Sequence, residues 1–172
     1  VVGSEDCLFL NIYAPAGGAD AALPVMVYLH GGAFTIGAGA NYDPSRLARD
    51  QGRVVVTLNF RLGALGWLAH PGFAEAGEDA GGNYGLMDQQ AALRWVQANI
   101  AGFGGDPRDV TLFSESSGAW SACHLMAAPS SAGLYSRLIL QSGPCLEPSS
   151  LNAQADQLEP GQRFGQRLGC TG

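Results

Sequence analysis

Two short apolar runs constrain most strongly what this chain can fold into. Residues 24–29 (Pro-Val-Met-Val-Tyr-Leu) and 54–59 (Val-Val-Val-Thr-Leu-Asn) lack the alternation of polar and apolar side chains that a half-exposed strand shows. Unbroken apolar strands of this kind are typical of a parallel sheet that is buried on both faces. Because parallel neighbours need crossover connections, the sequence predicts an α/β fold, with helices on both faces of a mostly parallel sheet.

The rest of the chain supplies further strands and the helices that would connect them. Strands are predicted at residues 7–13, 110–113 and 138–141, and helices at 45–51, 86–100, 119–127 and 161–168. Pro160 is predicted at the start of the last helix, residues 61–85 as an irregular stretch, and 104–107 as a turn. Since no repeat or linker is visible, residues 1–172 are predicted to be one domain or part of one.

Composition excludes several classes of protein. Hydrophobic residues make up 47% of the chain and charged residues 14%, which excludes an acidic disordered chain. The net charge is −6 and no basic stripe exists, so nucleic acid is not an expected partner. No apolar run reaches the roughly 18 residues of a membrane span. We therefore interpret the chain as soluble. Because it begins without Met or a signal-like segment, we also interpret it as a fragment of a longer protein, which is cytoplasmic or secreted.

Residues 110–118 carry the strongest chemical signal. A predicted strand ends at Phe113, and Ser116 lies between Ser114 and Gly118 just before a predicted helix. This is the G-x-S-x-G pattern of a nucleophile elbow, with serine at the first glycine position. Small flanking residues are needed there because the strand and helix backbones nearly touch. The alternative is that Ser116 is an ordinary helix N-cap.

A second glycine-rich motif, His30-Gly-Gly-Ala-Phe34, directly follows the strand at 24–29. Glycines let main-chain N–H groups approach a carbonyl oxygen closely, and each such donor contributes about 2.7–4 kcal/mol to transition-state stabilisation. An ordinary turn is the alternative. Because both motifs follow strand ends in the expected order, we predict an oxyanion loop at 30–34 and a nucleophile elbow at 114–118.

These motifs and further blocks resemble the type-B carboxylesterase and cholinesterase-like family of α/β-hydrolases. The blocks that resemble the family, in family order, are Glu5–Asn11, Asn59–Gly63, Gly82–Gln89, Asn99–Pro107 and Gln141–Gly143. The resemblance implies a partial α/β-hydrolase fold that lacks its C-terminal half, because the family's domain is more than twice as long as this chain.

Position by position, the resemblance implies a nucleophile and an oxyanion hole but an incomplete triad. Ser116 would be the nucleophile, and the family's catalytic acid and histidine would follow beyond Gly172. The oxyanion donors would be the main-chain N–H groups of Gly32, Ala33 and Ser117, with Gly31 and Glu115 near the site.

The histidines of this chain are predicted to be structural, so none replaces the missing base. His30 would support the oxyanion loop, His70 would lie at the surface, and His124 would pack along the helix after Ser116. The resemblance further implies that Arg61 and Asp88 form a buried structural ion pair.

The four cysteines, Cys7, Cys123, Cys145 and Cys170, form no CxxC pair and do not cluster with histidine. We therefore predict no metal site, and no cofactor. The cysteines are either free and buried or joined in disulfides. The resemblance places Cys7 at a position that pairs with an upstream cysteine, and implies that Cys145 and Cys170 pair with one another, as in some bacterial relatives.

The predicted function is hydrolysis of small-molecule carboxylic esters through an acyl-enzyme on Ser116 in the complete protein, with the chain alone inactive. One alternative is a non-catalytic cholinesterase-like binding or adhesion module, against which the intact loop, Ser116 and Gly118 argue. Another is a lipase, amidase or lactone hydrolase on the same fold. Abundant Ala, Gly and Arg without Lys indicate a bacterial genome of high GC content.

Overall fold

The computed structural model describes residues 3–18, 21–75, 81–146 and 154–170. In these ranges one sheet contains five strands in the order β1-β3-β2-β4-β5. The strands are β1 (Leu10–Tyr13), β2 (Leu23–Leu29), β3 (Val54–Leu58), β4 (Gly105–Glu115) and β5 (Arg137–Gln141). Only β1 runs antiparallel to its neighbour, so the predicted α/β fold with a mostly parallel sheet is confirmed.

Helices connect the strands. The α-helices are α1 (Ser45–Gln51), α2 (Gly63–Trp67), α3 (Pro71–Glu75), α4 (Tyr84–Asn99), α5 (Ser117–Ala127) and α6 (Gln154–Arg167). Short 3-10 turns lie at Gly39–Asn41, Ile100–Phe103 and Pro129–Ser131. None of the helices in the described residues is long and apolar enough to cross a membrane.

The crossovers place helices on both faces of the sheet. The connection from β2 to β3 runs through α1 in one direction, and the connection from β3 to β4 runs through α4 back across β2 in the other. Right-handed crossovers that run in opposite directions put their helices on opposite faces. Helix α5 continues in the direction of α4 and contacts it, so α4 and α5 share one face and α1 covers the other.

The core lies between the sheet and the pair α4 and α5. Val27 and Leu29 of β2 are fully buried against Leu93 and Val96 of α4 and Leu125 of α5. Every residue of β3 is buried, as its unbroken apolar run predicts. Each such aliphatic side chain contributes about 1.5–3 kcal/mol of burial free energy, which fixes the strands that carry the site.

Three predictions of local structure were wrong. Residues 61–85, predicted to be irregular, contain α2 and α3. The glycine-rich α2 packs tightly, since a Cβ on Gly66 would lie 2.1 Å from the Arg61 carbonyl oxygen. The turn predicted at 104–107 becomes the start of β4, because Gly105 pairs with Leu23. Helix α6 begins at Gln154 and so contains Pro160 in its interior. The side-chain amide of Gln154 donates to the Gly81 carbonyl oxygen, which anchors the first residue of the helix.

Candidate active site

The candidate site lies where the chain leaves the sheet in two opposite directions. The carboxyl ends of β2 and β4 are neighbours, with Leu29 paired to Ser114. From there the chain continues toward β3 on one side and toward β5 on the other. Opposite departures of this kind open a crevice at the carboxyl ends of the strands, where α/β proteins bind ligands. The loop 30–39 and the turn at Ser116 form this crevice.

Ser116 adopts a backbone conformation that is unusual for a residue with a side chain. It lies between the last residue of β4 and the first of α5, with φ 53° and ψ −125°. Such a conformation costs about 1–3 kcal/mol and persists only where its surroundings hold it. The Ser116 N–H donates to the Gln141 carbonyl oxygen at 2.9 Å, and its own carbonyl accepts from the Ala119 N–H at 2.9 Å. These bonds fix both sides of the turn.

Three glycines from three separate segments surround this turn. A Cβ on Gly31 would lie 2.9 Å from the Ser116 Cβ, and one on Gly143 would lie 2.6 Å from the Ser116 carbonyl oxygen. A Cβ on Gly118 would lie 2.3 Å from the Leu29 carbonyl oxygen. Real Cβ atoms do not approach this closely, so glycine at these positions lets three backbones meet at Ser116.

Loop 30–34 exposes main-chain N–H groups toward the crevice. Ala33 (φ 53°) and Phe34 (φ 60°) both adopt left-handed conformations, following Gly32 at φ 116°. The Phe34 N–H donates to the Ser117 hydroxyl at 3.4 Å, which ties the loop to the start of α5. Across the described ranges, the N–H groups of Gly32, Ala33 and Ser117 donate to no other protein atom. They are therefore available to a bound oxygen atom.

His30 supports the loop from below. Its side chain is buried, its ring stacks on Phe60 with centroids 4.4 Å apart, and its Nδ1–H donates to the Gly31 carbonyl oxygen at 2.7 Å. Burial lowers the pKa of His30, while the bond to Gly31 acts weakly in the other direction. A neutral ring under the loop is the supporting role that the sequence predicts for His30.

The other two histidines also use a ring nitrogen locally. The Nδ1 of His70 accepts the Gly72 N–H at 3.0 Å, and the His124 Nδ1–H donates to the Trp120 carbonyl oxygen at 2.7 Å within α5. His70, predicted to lie at the surface, is partly exposed, with its ring beside that of Phe73. None of the three histidines hydrogen-bonds to Ser116.

Glu115 lies beside the loop and a pair of tyrosines. Its Oε2 atom would be 2.6 Å from a Cβ on Gly31. The Tyr28 and Tyr42 rings are in edge contact, with centroids 4.8 Å apart. Burial, followed by Tyr42 and then by the charge of Glu115, raises the pKa of Tyr28. The carboxylate thus lies next to Gly31, the first glycine of the loop.

Ser114 and the Arg61–Asp88 pair have structural contacts. The buried Ser114 hydroxyl donates to the Ile139 carbonyl oxygen at 3.2 Å, so it links β4 to β5 where the pattern has glycine. Asp88 accepts from the main chain and the guanidinium of Arg61, with the charged groups 2.8 Å apart. The implied ion pair is confirmed, although the Arg61 side chain is 36% exposed and so is not fully buried.

The disulfide implied between Cys145 and Cys170 was wrong. Cys145 is bonded instead to Cys123 of α5, with their Cα atoms 5.3 Å apart, while Cys7 and Cys170 are free. Four cysteines allow three pairings, and sequence spacing does not choose among them. The fold decides, because β5 brings the segment after Gly143 back onto α5. Within the described ranges no group of three or more His, Cys, Asp or Glu side chains is arranged to hold a metal ion.

A cavity of about 430 Å³ opens next to loop 30–34. Its walls are mostly apolar and come from the loop, from α2 and the residues after it, and from α6; they include Phe34, Trp67, Leu68, Pro160 and Phe164. The Phe34 ring separates the cavity from α5, lying 4.5 Å from the Trp67 ring and 6.3 Å from the Trp120 ring.

Comparison with known proteins identifies the family. Residues 1–172 match the Carboxylesterase family. The chain belongs to this family. It is 51% identical over 142 residues to a para-nitrobenzyl esterase of Bacillus subtilis, covering 81% of this chain and 28% of the esterase. It is also 47% identical over 163 residues to a fumonisin B1 esterase of Sphingopyxis macrogoltabida, covering 92% of this chain and 30% of that protein.

Solved structures show the same fold. A thermophilic PNB esterase superposes with a TM-score of 0.83 at 45% identity, covering 98% of this chain and 34% of the esterase chain. The α/β-hydrolase fold is therefore confirmed for a carboxylesterase-family chain that spans about a third of the solved relative.

Sequence reasoning missed the contribution of the end of β5 and the segment after it. The sequence predicts Gln141 as the end of a strand and Gly143 as part of a family block, but not that both contact the Ser116 backbone. Cys145 was assigned to a different partner. In the sequence, these contacts are indicated only by a strand end that is followed by a glycine and a cysteine. This pattern becomes informative once the order of the strands in the sheet is known.

Proposed function

We propose that the protein containing this chain is a serine carboxylesterase in which Ser116 is the nucleophile. The observation that carries this proposal is the strained backbone of Ser116, at the turn from β4 to α5 beside loop 30–34, whose Gly32 and Ala33 N–H groups donate to no described residue. A serine that only capped a helix would adopt an ordinary extended conformation and would not need this strain. The family relationship supports ester hydrolysis in general.

The proposed reaction proceeds through an acyl-enzyme. The Ser116 Oγ attacks the ester carbonyl carbon as a base removes its proton, and the carbonyl oxygen becomes an oxyanion. The N–H groups of Gly32, Ala33 and Ser117 donate to this oxyanion, and the positive end of α5 stabilises the same charge. Collapse expels the alcohol, and water then releases the acid and restores Ser116.

The general base is proposed to come from outside the described residues. His30, His70 and His124 each use a ring nitrogen in a local hydrogen bond, and none hydrogen-bonds to Ser116. Relatives such as the para-nitrobenzyl esterase are more than three times the length of the matched segment, so they contain ample further sequence. Glu115 is assigned the role of a nearby charge that favours a protonated imidazole during the reaction.

The substrate is proposed to be an ester with at least one apolar arm. The cavity beside the loop is lined mainly by apolar and aromatic side chains, among them Trp67 and Phe164. Its volume of about 430 Å³ falls within the range of small-molecule pockets. Residues 34 and 35 of its wall follow Ala33 directly, so an apolar arm would extend from the oxyanion site into this cavity.

The test uses the longest reading frame that contains this chain. The wild type is assayed for hydrolysis of p-nitrophenyl acetate and p-nitrophenyl octanoate, and labelled with a fluorophosphonate. Ser116→Ala is compared with Ser45→Ala, which changes an exposed serine at the start of α1. We expect Ser116→Ala to lose about 10⁴-fold or more in kcat and all label, because loss of a triad serine removes most of the rate enhancement.

Each result has a distinct meaning. Labelled peptide containing Ser116, with Ser45→Ala equal to the wild type, supports the proposal. A wild type that folds but neither hydrolyses esters nor takes up label would instead establish the non-catalytic binding module. Residual activity in Ser116→Ala equal to the wild type would assign the nucleophile elsewhere.

A further inference from the structure

The segment after β5 rests directly on the backbone of Ser116. Gln141, the last residue of β5, accepts the Ser116 N–H, and Ser142, the first residue of the segment, adopts a left-handed conformation with φ 56°. Gly143 then comes so close that an added Cβ would lie 2.6 Å from both the Ser116 carbonyl oxygen and the Ala119 Cβ. Any displacement of this segment therefore changes the support of the strained serine.

Little else in the described structure anchors this segment after β5 ends. Residues 142–146 make no hydrogen bond to another described residue. Pro144 has no N–H to donate, and the Leu146 side chain is 87% exposed. The anchor that remains is the covalent bond from Cys145 to Cys123.

Cys123 lies on the helix that begins at the nucleophile. It is two turns past Ser116 on α5, and only 7% of it is exposed. The disulfide thus closes a ring that runs from Ser116 along α5, across to Cys145, and back through Gly143 to the Ser116 backbone. Helix α5 is thus held by the disulfide at Cys123, and the Ser116 turn by the close contact with Gly143.

We propose that the Cys123–Cys145 disulfide positions Ser116 and that its reduction by a dithiol lowers the catalytic rate. This inference rests on the proposed function. Cys145 is the more exposed partner, so a thiolate of the reductant attacks its sulfur and releases the Cys123 thiolate. The second thiol of the reductant then displaces Cys145 from the mixed disulfide. Two electrons pass to the cysteine pair, and the reductant becomes a disulfide.

Without this anchor Gly143 packs less closely against the Ser116 carbonyl oxygen, so the strained conformation loses part of its support. In the proposed function the apolar arm of the ester binds in the cavity, whose walls include neither cysteine. The expected effect is therefore a loss in kcat of roughly tenfold with little change in KM, since the strained conformation becomes less populated.

The experiment uses the longest reading frame that contains this chain, purified under oxidising conditions. Peptide mapping without reductant first locates the disulfide. Values of kcat and KM for p-nitrophenyl acetate are then measured before and after treatment with dithiothreitol and after reoxidation. The test variant is Cys123→Ala with Cys145→Ala, and the matched control is Cys7→Ser with Cys170→Ser, which changes the two free cysteines.

We expect reduction to lower kcat reversibly in the wild type and in the control, while the test variant starts at the lower kcat and does not respond. Near-UV circular dichroism checks that reduced and oxidised forms are equally folded. The inference is overturned if mapping finds Cys123 and Cys145 unlinked, if full reduction leaves kcat unchanged, if the test variant still responds, or if activity falls only with the folded fraction. A folded wild type that hydrolyses no ester would overturn the proposed function as well, and so differs from these results.

Discussion

Substituting Gly118 by alanine tests how closely helix α5 must approach strand β2. A Cβ at this position would lie 2.3 Å from the Leu29 carbonyl oxygen and 2.7 Å from the His30 carbonyl oxygen. Both are backbone atoms, one at the end of the central strand β2 and one in the residue that follows it, so no flexible side chain can move aside. The helix must therefore shift away from the strand.

The contact distances set the size of the effect. Ordinary contact begins near 3.4 Å, so α5 must retreat by about 1 Å, and overpacking of this kind costs about 1–3 kcal/mol of folding free energy. The same shift moves the Ser117 N–H, the first donor of α5. A misplacement of about 1 Å in an active site lowers the rate about 100-fold. We expect Gly118→Ala to lose both stability and about two orders of magnitude in kcat/KM.

The assay pairs urea unfolding, followed by circular dichroism, with p-nitrophenyl acetate hydrolysis. Gly102→Ala is the matched control, because a Cβ there meets nothing within 4 Å and its φ is not left-handed. Gly102→Ala should leave activity unchanged and raise stability by about 0.4–1 kcal/mol through the unfolded state. If Gly118→Ala behaves like Gly102→Ala in both measurements, the reasoning from the close approach of α5 to β2 is wrong.

Three further substitutions probe the surroundings of the site. Asp88→Asn should lower the free energy of unfolding in urea by about 2 kcal/mol. This loss is smaller than that for a fully buried ion pair, because the Arg61 side chain is 36% exposed. An unchanged urea midpoint would refute the prediction. Burial lowers the pKa of His30 in the folded state, so its contribution to stability is full above about pH 6.5 and declines as the pH falls below that value. Unfolding midpoints between pH 7.5 and 5.5 should therefore fall less steeply in His30→Gln, and equal slopes would contradict the assignment. Ser114→Ala should cost about 1 kcal/mol by removing the bond to the Ile139 carbonyl, with kcat unchanged; a large loss of kcat would give Ser114 a role in the reaction.

Most of the sheet was predictable because its signals are local. The apolar runs around Val27 and Val56 define buried strands by themselves, and the helix at 45–51 matches the observed α1 residue for residue. The small residues around Ser116 indicate a tight strand-to-helix turn, and the structure has one between β4 and α5, although the contact that requires glycine at 118 is with the distant Leu29 carbonyl.

The features that the sequence did not predict depend on distant partners. Gly105 joins β4 because Leu23 pairs with it, and the start of α6 is held by a contact to Gly81. The pairing of Cys123 with Cys145 follows from the path of β5 and not from spacing. Only the assembled sheet brings these residues together, so periodicity and motif order could not reveal them.

The three glycines around Ser116 have a consequence for how such a protein diversifies. Around Ser116, side chains are absent at Gly31, Gly118 and Gly143, and an added Cβ at each would meet backbone or Cβ atoms of its neighbours. Backbone positions carry no side-chain chemistry that a point mutation could retune. Under the proposed function, changes in substrate preference are therefore expected in the cavity walls, for example at Trp67 and Phe164, where substitution leaves the geometry of the turn intact. In a scaffold of this kind, the glycines around the turn can stay the same while the residues of the cavity wall change.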